Sequence, residues 1–383
     1  MPRLLMVSQP TIAGAAQCVV DWSVGLRDRE WEVSVACPPT GDLAGWCNSA
    51  GIPSVEWPSQ RSPMADVVQE SSALKGILAM AQPDMVMLHS SKAGLDGRLT
   101  IRGNLPTVFV PHAWSFDAVS GFAAKVALNW ERMAAWRWTD LTLCVSAAEY
   151  RRGVEARIRT TYQVTRNGVD VPELRRIAAE GPSRSELCER YSVPPEARIA
   201  VCLGRLTEQK GQDVLVNAWP MVPGGSQRHL VLIGDGPMQD DLRTSTAGDA
   251  SVTFTGALPR AEALAWLSAA DVTVVPSRWE GMALVPLEAL ALGTPVVGSD
   301  VTGLREAVAS NVGDLVDPDD PAALATALGQ WLSLSPDSTR TVRASARARA
   351  ESEFSLDATV AAIDHALRDV SLRRALRVSG RRT

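Results

Sequence analysis

The stretch SRWEGMALVPLEALALGTPVV, from Ser277 to Val297, carries two glutamates, Glu280 and Glu288, eight positions apart. On one helix such side chains diverge by roughly 80°, at ~100° per residue, and aim poorly at one target. Pro286 and Gly293 suggest a different arrangement. Proline suits the first turn of a helix, where its missing N–H would be unpaired anyway, and glycine suits the helix end. The helix is therefore predicted to open near Pro286, with Glu280 on the preceding loop and Glu288 inside the first turns. The backbone amides of Gly281, Met282, Ala283 and Leu284 then run into a helix N-terminus, which attracts anions. Glu288 alone could simply stabilise the helix dipole. The two glutamates, the glycine and the helix start, all directly after the apolar run DVTVVP, point together to a ligand site.

A second cluster follows the run RIAVCLG. In GRLTEQKG, Gly204 and Arg205 leave a strand end, and Lys210 precedes a helix start near Gly211. Two cations beside a helix N-terminus would seat a diphosphate; the plainer alternative is a solvated loop. Lys210 is one of four lysines, with Lys75, Lys92 and Lys125, and the remaining basic residues are arginine. In the first half, MVSQPTIAGAAQ places Gly14 between a strand and a helix, without the GxGxxG pattern of dinucleotide sites. DMVMLHSSKAG and TVFVPHAW put His89 and His112 at strand C-termini, in either a structural or a functional role. Lys92, before a helix start at Ala93 to Leu95, is a candidate anion contact.

These residues need a frame that gathers strand ends. Short apolar, β-branched runs (RLLMVS, WEVSVAC, IPSVEW, DMVMLH, PTVFVP, DLTLCVS and YQVTRN) alternate with helical segments such as Met64 to Ala81 and Gly121 to Trp138. The pattern weakens between about Asp170 and Arg198, where GPSRSE and VPPEAR act as breakers. It then restarts with RIAVCLG, HLVLIG, VTFTG, DVTVVP, TPVVGS and GDLVDP. Such alternation predicts an α/β fold of two Rossmann-like, doubly wound parallel-sheet domains, with ligands at the carboxyl ends of the strands. A length of 383 residues fits two or three domains at ~150 residues each. After Asp320 the chain reads as helical to its end.

Composition removes several function classes. A net charge of −5 does not favour nucleic acid. The six cysteines form no CxxC pair, and four lie in or beside apolar runs, which reads as reduced core residues of a cytoplasmic protein. The N-terminal apolar run is too short for a signal peptide, and no segment approaches the ~18 apolar residues of a membrane span. The end of the chain carries Arg368, Arg373, Arg374, Arg377, Arg381 and Arg382 against Asp369. It reads either as a solvated helix or as a contact with anionic lipid. KVALNWERMAAWRW has aromatic and basic residues that could also sit at a membrane interface, although core packing is the more ordinary use of most of its tryptophans.

Taken in order, VPHAW, TRNGVD, GRLTEQKG, LIGDGP and PSRWEGMALVPLEALALGTPVV resemble the retaining nucleotide-sugar glycosyltransferases of family 4, with the GT-B fold. The resemblance covers nearly the whole chain and is most specific in the second half. It implies domains at 1–172 for the acceptor and 173–355 for the donor. A helix and basic tail at 356–383 would pack back towards the first domain, and the two domains would face a cleft. By the same resemblance Arg205 and Lys210 hold the donor diphosphate, Glu288 the ribose, and Glu280 with the amides from Met282 to Leu284 the transferred sugar. His112 lies near the anomeric carbon, Gly14 and Ala15 border the diphosphate, and the base lies near Ala257 and Leu258. His89 and Lys92 are acceptor-side candidates.

Two departures stand out. The usual paired glycines read AGAA here, so Ala15 narrows backbone approach, and the common EGFG reads EGMA at Glu280 to Ala283. No DxD ends a strand, and DPDD at Asp317 to Asp320 reads as a helix cap. No metal or cofactor is therefore expected. The expected donor is a nucleotide-diphosphate sugar, a UDP-sugar first and a GDP-sugar next. The acceptor would be a small-molecule or lipid-linked saccharide in bacterial polysaccharide, glycolipid or glycosylated natural product assembly. The expected place is the cytoplasm, with peripheral contact to the inner membrane face. The competing readings are a sugar-nucleotide epimerase of the same fold and an inactive nucleotide-sugar-binding scaffold.

Overall fold

The computed structural model describes residues 1–60 and 66–379 and divides the chain into two compact units. One comprises Met1–Asn167 with Asp357–Thr383, the other Gly168–Leu356. The basic-tail positions Arg381 and Arg382 lie outside the described residues, as do Met64 and Ala65 of the expected third helix.

The first unit is built on seven parallel strands: β1 (Arg3–Ser8), β2 (Glu32–Cys37), β3 (Ser54–Glu56), β4 (Met85–His89), β5 (Thr107–Val110), β6 (Leu141–Cys144) and β7 (Tyr162–Val164). Their order is β3-β2-β1-β4-β5-β6-β7. Six helices connect them: α1 (Ala13–Arg27), α2 (Leu43–Ser49), α3 (Val67–Ala81), α4 (Ser90–Ile101), α5 (Gly121–Trp138) and α6 (Ala147–Glu155). Strands β1, β4, β5 and β6 are almost wholly buried. Such continuous apolar runs are what a sheet covered on both faces requires.

The second unit repeats the plan. Two helices, α7 (Val171–Glu180) and α8 (Arg184–Arg190), occupy the stretch where the strand pattern weakens. The apparent breaker GPSRSE is in fact a helix start: Ser183 and Glu186 form a reciprocal capping box on α8. The strands are β8 (Arg198–Leu203), β9 (Arg228–Ile233), β10 (Val252–Gly256), β11 (Val272–Val275), β12 (Val296–Ser299) and β13 (Gly313–Val316). They are parallel in the order β10-β9-β8-β11-β12-β13. Between them run α9 (Gln212–Ala218), α10 (Gln239–Ser245), α11 (Arg260–Ala269), α12 (Leu284–Leu292) and α13 (Thr302–Ala307). Next come α14 (Pro321–Leu332), capped by the Asp320 side chain on the amide of Ala323 as the DPDD motif suggested, and α15 (Pro336–Glu353).

The final helix, α16 (Leu356–Ser379), belongs almost entirely to the first unit. Trp31 donates its indole N–H to Asp364 at 2.7 Å, and Arg374 pairs with Asp140 at 2.8 Å. Gly25 of α1 lies against Val360 so closely that a Cβ there would come within 2.8 Å of both its methyl groups. All six cysteines are buried and none is in a disulfide.

Both sheets reverse direction once, between β1 and β4 and between β8 and β11. At such a switch point the connections leave in opposite directions and open a crevice at the strand carboxyl ends. The expected site residues of each unit fall beside its own switch point.

Candidate functional site

In the second unit the segment after β8 and the segment after β11 are bound into one platform. Gly211, with φ +65, lies so close to β11's exit that a Cβ there would be 2.0 Å from the Pro276 carbonyl oxygen. Only glycine meets both demands, the left-handed backbone and the close approach. Arg278 fastens the same two segments. Its backbone N–H donates to the Gln209 carbonyl at 2.8 Å, and its guanidinium donates to the Glu208 carbonyl and pairs with Asp213 and Asp319.

This bracket brings Lys210 and Glu280 together. Lys210 Nζ donates to Glu280 Oε1 at 2.6 Å, and the buried Ser277 hydroxyl donates to the same oxygen at 2.7 Å. The two residues expected to hold diphosphate and sugar thus hold each other. Arg205 leaves β8 next to Gly204, and its carbonyl accepts a bond from the Gln212 side chain at 3.0 Å. Beyond Glu280, Gly281 to Ala283 lead into α12, whose first residue is Leu284, so Glu280 is on the loop as expected. Gly303 of α13 presses on this loop, since a Cβ there would stand 2.3 Å from the Gly281 carbonyl oxygen. Gly293 ends α12 with φ +89, the left-handed cap anticipated for it.

Glu288 is buried in α12 and pairs through Oε1 with Arg260 Nη2 at 2.9 Å. Arg260 opens α11, two residues after Leu258 on the loop leaving β10. It therefore joins the segment expected near the base to the glutamate expected at the ribose. Ser277, Arg260 and Arg278 were not singled out from sequence. Ser277 shared a stretch with Glu280, but no local pattern marks the two arginines.

In the first unit, β4 ends in His89 and β5 leads to His112. Their rings face each other with His89 Nδ1 3.0 Å from His112 Nε2, and both pack near the buried Trp22. His112 takes a left-handed backbone, φ +56, which turns its side chain back to His89 at a cost of ~1–3 kcal/mol. Burial, with the His112 ring beside it, holds the His89 pKa well below the usual imidazole range, and burial pushes His112 down to about 4. Both rings are neutral at pH 7, so one N–H is shared between them. His89 Nε2 is buried without a hydrogen-bond partner. An orphaned N–H is rarer in protein interiors than an orphaned acceptor, which assigns the shared proton to His89 Nδ1. His112 then accepts at Nε2 and has an N–H at Nδ1.

Three expectations for this unit change. His89, an acceptor-side candidate, is fully buried, so it reaches any ligand only through His112. Lys92 is no outward anion contact. It is 4% exposed, inside the first turn of α4, and its ammonium pairs with Glu70 and Asp96. A buried ammonium needs such partners, and they cancel its attraction for an anion. At the β1–α1 turn the left-handed residue is Ala13, φ +61, and Gly14 and Ala15 are already helical.

Two doubly wound parallel sheets, each with its candidate residues at the switch point, define the GT-B glycosyltransferase architecture. Anabaena HepE, solved with UDP and glucose, superposes with a TM-score of 0.82 over 96% of this chain and 100% of its own, at 22% identity. Two sequence families match in succession, Glycosyltransferase Family 4 over residues 12–173 and Glycosyl transferases group 1 over residues 197–333. The chain belongs to the family 4 glycosyltransferases and is a transferase.

Among its relatives is the UDP-Gal:alpha-D-GlcNAc-diphosphoundecaprenol alpha-1,3-galactosyltransferase of Escherichia coli. It is 23% identical over 77% of this chain and 78% of its own. The D-inositol 3-phosphate glycosyltransferase of Xylanimonas cellulosilytica is 35% identical, over 49% of this chain and 46% of that one. The match to this second relative spans less than half its length.

Proposed function

We propose that the protein transfers a hexosyl group from a nucleotide-diphosphate sugar to a saccharide acceptor, with retention at the anomeric carbon and without a divalent metal. The observation that carries this reading is the Lys210–Glu280 pair beside the start of α12, with Glu288 one turn into that helix. Departure of a nucleoside diphosphate builds negative charge. Positioned cations and helix N-terminal amides stabilise that charge, the task a metal ion performs elsewhere. In this reading Arg205, Lys210 and the amides from Met282 to Leu284 receive the diphosphate, and Gly14 with Ala15 border it. Incoming phosphate draws Lys210 away from Glu280, whose carboxylate then holds the sugar hydroxyls. Glu288 holds the ribose and Leu258 borders the base. His112, neutral, offers a hydrogen bond to the transferred sugar.

A UDP-sugar is the donor proposed first and a GDP-sugar next. The galactosyltransferase relative is named for UDP-Gal, and HepE was solved with UDP. The diphosphoundecaprenol in the same relative's name supports a lipid-linked saccharide as acceptor, with a soluble saccharide as the other form, in polysaccharide or glycolipid assembly.

The test is to incubate the protein with UDP- and GDP-sugars, with and without acceptors, and follow nucleoside diphosphate release and the product's anomeric configuration. Release that requires acceptor, a retained anomer and activity in a chelator are expected. Isomerisation of the donor without acceptor would make the protein an epimerase. An inverted product, or activity lost to chelator and restored by magnesium, would overturn retention or metal independence respectively.

A further inference from the structure

The first unit presents an apolar helix face that no described residue covers. Phe122, Val126, Met133 and Trp136 of α5 stand at i, i+4, i+11 and i+14, one stripe on an α-helix. Three of these are strongly exposed, Phe122 at 82%, Trp136 at 68% and Val126 at 50%. The opposite side of α5 is committed to the unit's interior, where Ala134 and Ala135 are buried and Glu131 pairs with Arg98 at 2.8 Å.

The charges on this helix are as uneven as its apolar residues. Glu131 is the sole acid of α5 and is buried, so the exposed face has no negative charge although the whole chain is net negative. Lys125 and Arg137 are exposed and, at ~100° per residue, flank the stripe on opposite sides. A row of large apolar side chains edged by cations, on a helix lying along a protein surface, fits the boundary between lipid headgroups and acyl chains. Tryptophan and long basic side chains are favoured at that depth, with the charged heads reaching up to phosphate. No helix among the described residues is long and apolar enough to cross a membrane.

We infer that α5 docks the protein on anionic lipid, with Phe122, Val126 and Trp136 in the interface and Lys125 and Arg137 on lipid phosphates. This assigns the membrane contact to α5 rather than to the arginines at the chain end. It is independent of the transfer reaction, because vesicle binding is measured without donor or acceptor.

The full chain is sedimented with vesicles of phosphatidylcholine alone or mixed with phosphatidylglycerol. Wild-type protein is expected to partition strongly to the mixed vesicles and weakly to the neutral ones. The variant Phe122→Gln/Val126→Gln/Trp136→Gln should partition roughly a hundredfold less, given the apolar area withdrawn from water on docking. Lys125→Gln/Arg137→Gln should lose about tenfold on mixed vesicles. Trp136→Phe should still partition, yet show less fluorescence quenching by brominated acyl chains. The changed side chains are exposed, so unaltered melting curves confirm intact folding. The proposal is overturned if wild-type protein stays in the supernatant with both vesicles, or if the triple variant sediments like wild type. It is likewise overturned if only Arg381→Gln/Arg382→Gln loses binding, or if the triple variant changes the mass in solution instead, which would make the stripe a contact between copies of the chain.

Discussion

Replacing Glu280 by glutamine tests whether the Lys210–Glu280 contact is a device for binding the donor or only a brace. The substitution keeps shape and removes the charge from an oxygen that accepts from Lys210 at 2.6 Å and from Ser277 at 2.7 Å. Hydrogen bonds to a charged group contribute about 1.5–3 kcal/mol each, and Lys210 retains partial access to water, with a side chain 24% exposed. The Ser277 bond can persist to the amide oxygen, so a net loss of ~2 kcal/mol is expected. At about 2–4 °C per kcal/mol for a unit of this size, melting should fall by ~4–8 °C. A double-mutant cycle with Lys210→Ala isolates the pair, with a coupling of at least ~1 kcal/mol in the free protein. If incoming diphosphate takes Lys210 from Glu280, the coupling should shrink in saturating UDP or GDP, whichever binds. Because Glu280 then contacts a sugar whose charge develops during transfer, Glu280→Gln should also lower kcat by roughly ten- to hundredfold. Calorimetric melting with and without nucleotide, together with initial rates, reads all of these. Coupling that is equal with and without nucleotide, with kcat unchanged, would refute the exchange and leave a brace.

Glu288→Gln and Arg260→Ala should both raise donor KM with little effect on kcat, because the ribose hardly moves during transfer; steady-state kinetics with varied donor checks this, and a fall in kcat alone would contradict it. The two buried imidazoles bind fewer protons folded than unfolded, so the stability of their neutral form is complete above pH 6.5. It is lost as pH falls towards about 4, and His112→Gln should show a shallower decline in melting temperature than wild type between those values. Glu149 has the opposite sign: burial raises its carboxyl to about 8, so the folded state holds a proton that the unfolded state releases above about 4.5. Its contribution is complete below about 4.5 and is lost as pH rises to about 8, so Glu149→Gln should match wild type near pH 4 and melt increasingly above it up to about pH 8.

The strands were legible because a β-branched apolar run is a local property, and each of the thirteen runs became a strand of a parallel sheet. The helices α7 and α8 were not, because the residues that cap a helix are the same types that break one in sequence. Asp170 and Ser183 read as interruption in sequence and act as N-caps in the fold. The candidate sites divide in the same manner. Lys92 and Lys210 look alike in sequence, each a rare lysine just after a buried strand and close to a helix start. Their fates are set by the carboxylates the topology brings to them. Packing of α3 on α4 delivers Glu70 to Lys92, and Asp96 adds a second acid from the next turn, so that charge is neutralised within the core. The β8–β11 reversal sets Lys210 against the carboxylate of Glu280, which sits on a loop and leaves the ammonium partly open to solvent. Short-range spacing can place a cation at a strand end, but it does not report which acid arrives from seventy residues away. Arg260 gives the converse case. Nothing near it in sequence points to Glu288, and only the neighbourhood of β10, α11 and α12 turns an ordinary helix-start arginine into that glutamate's partner.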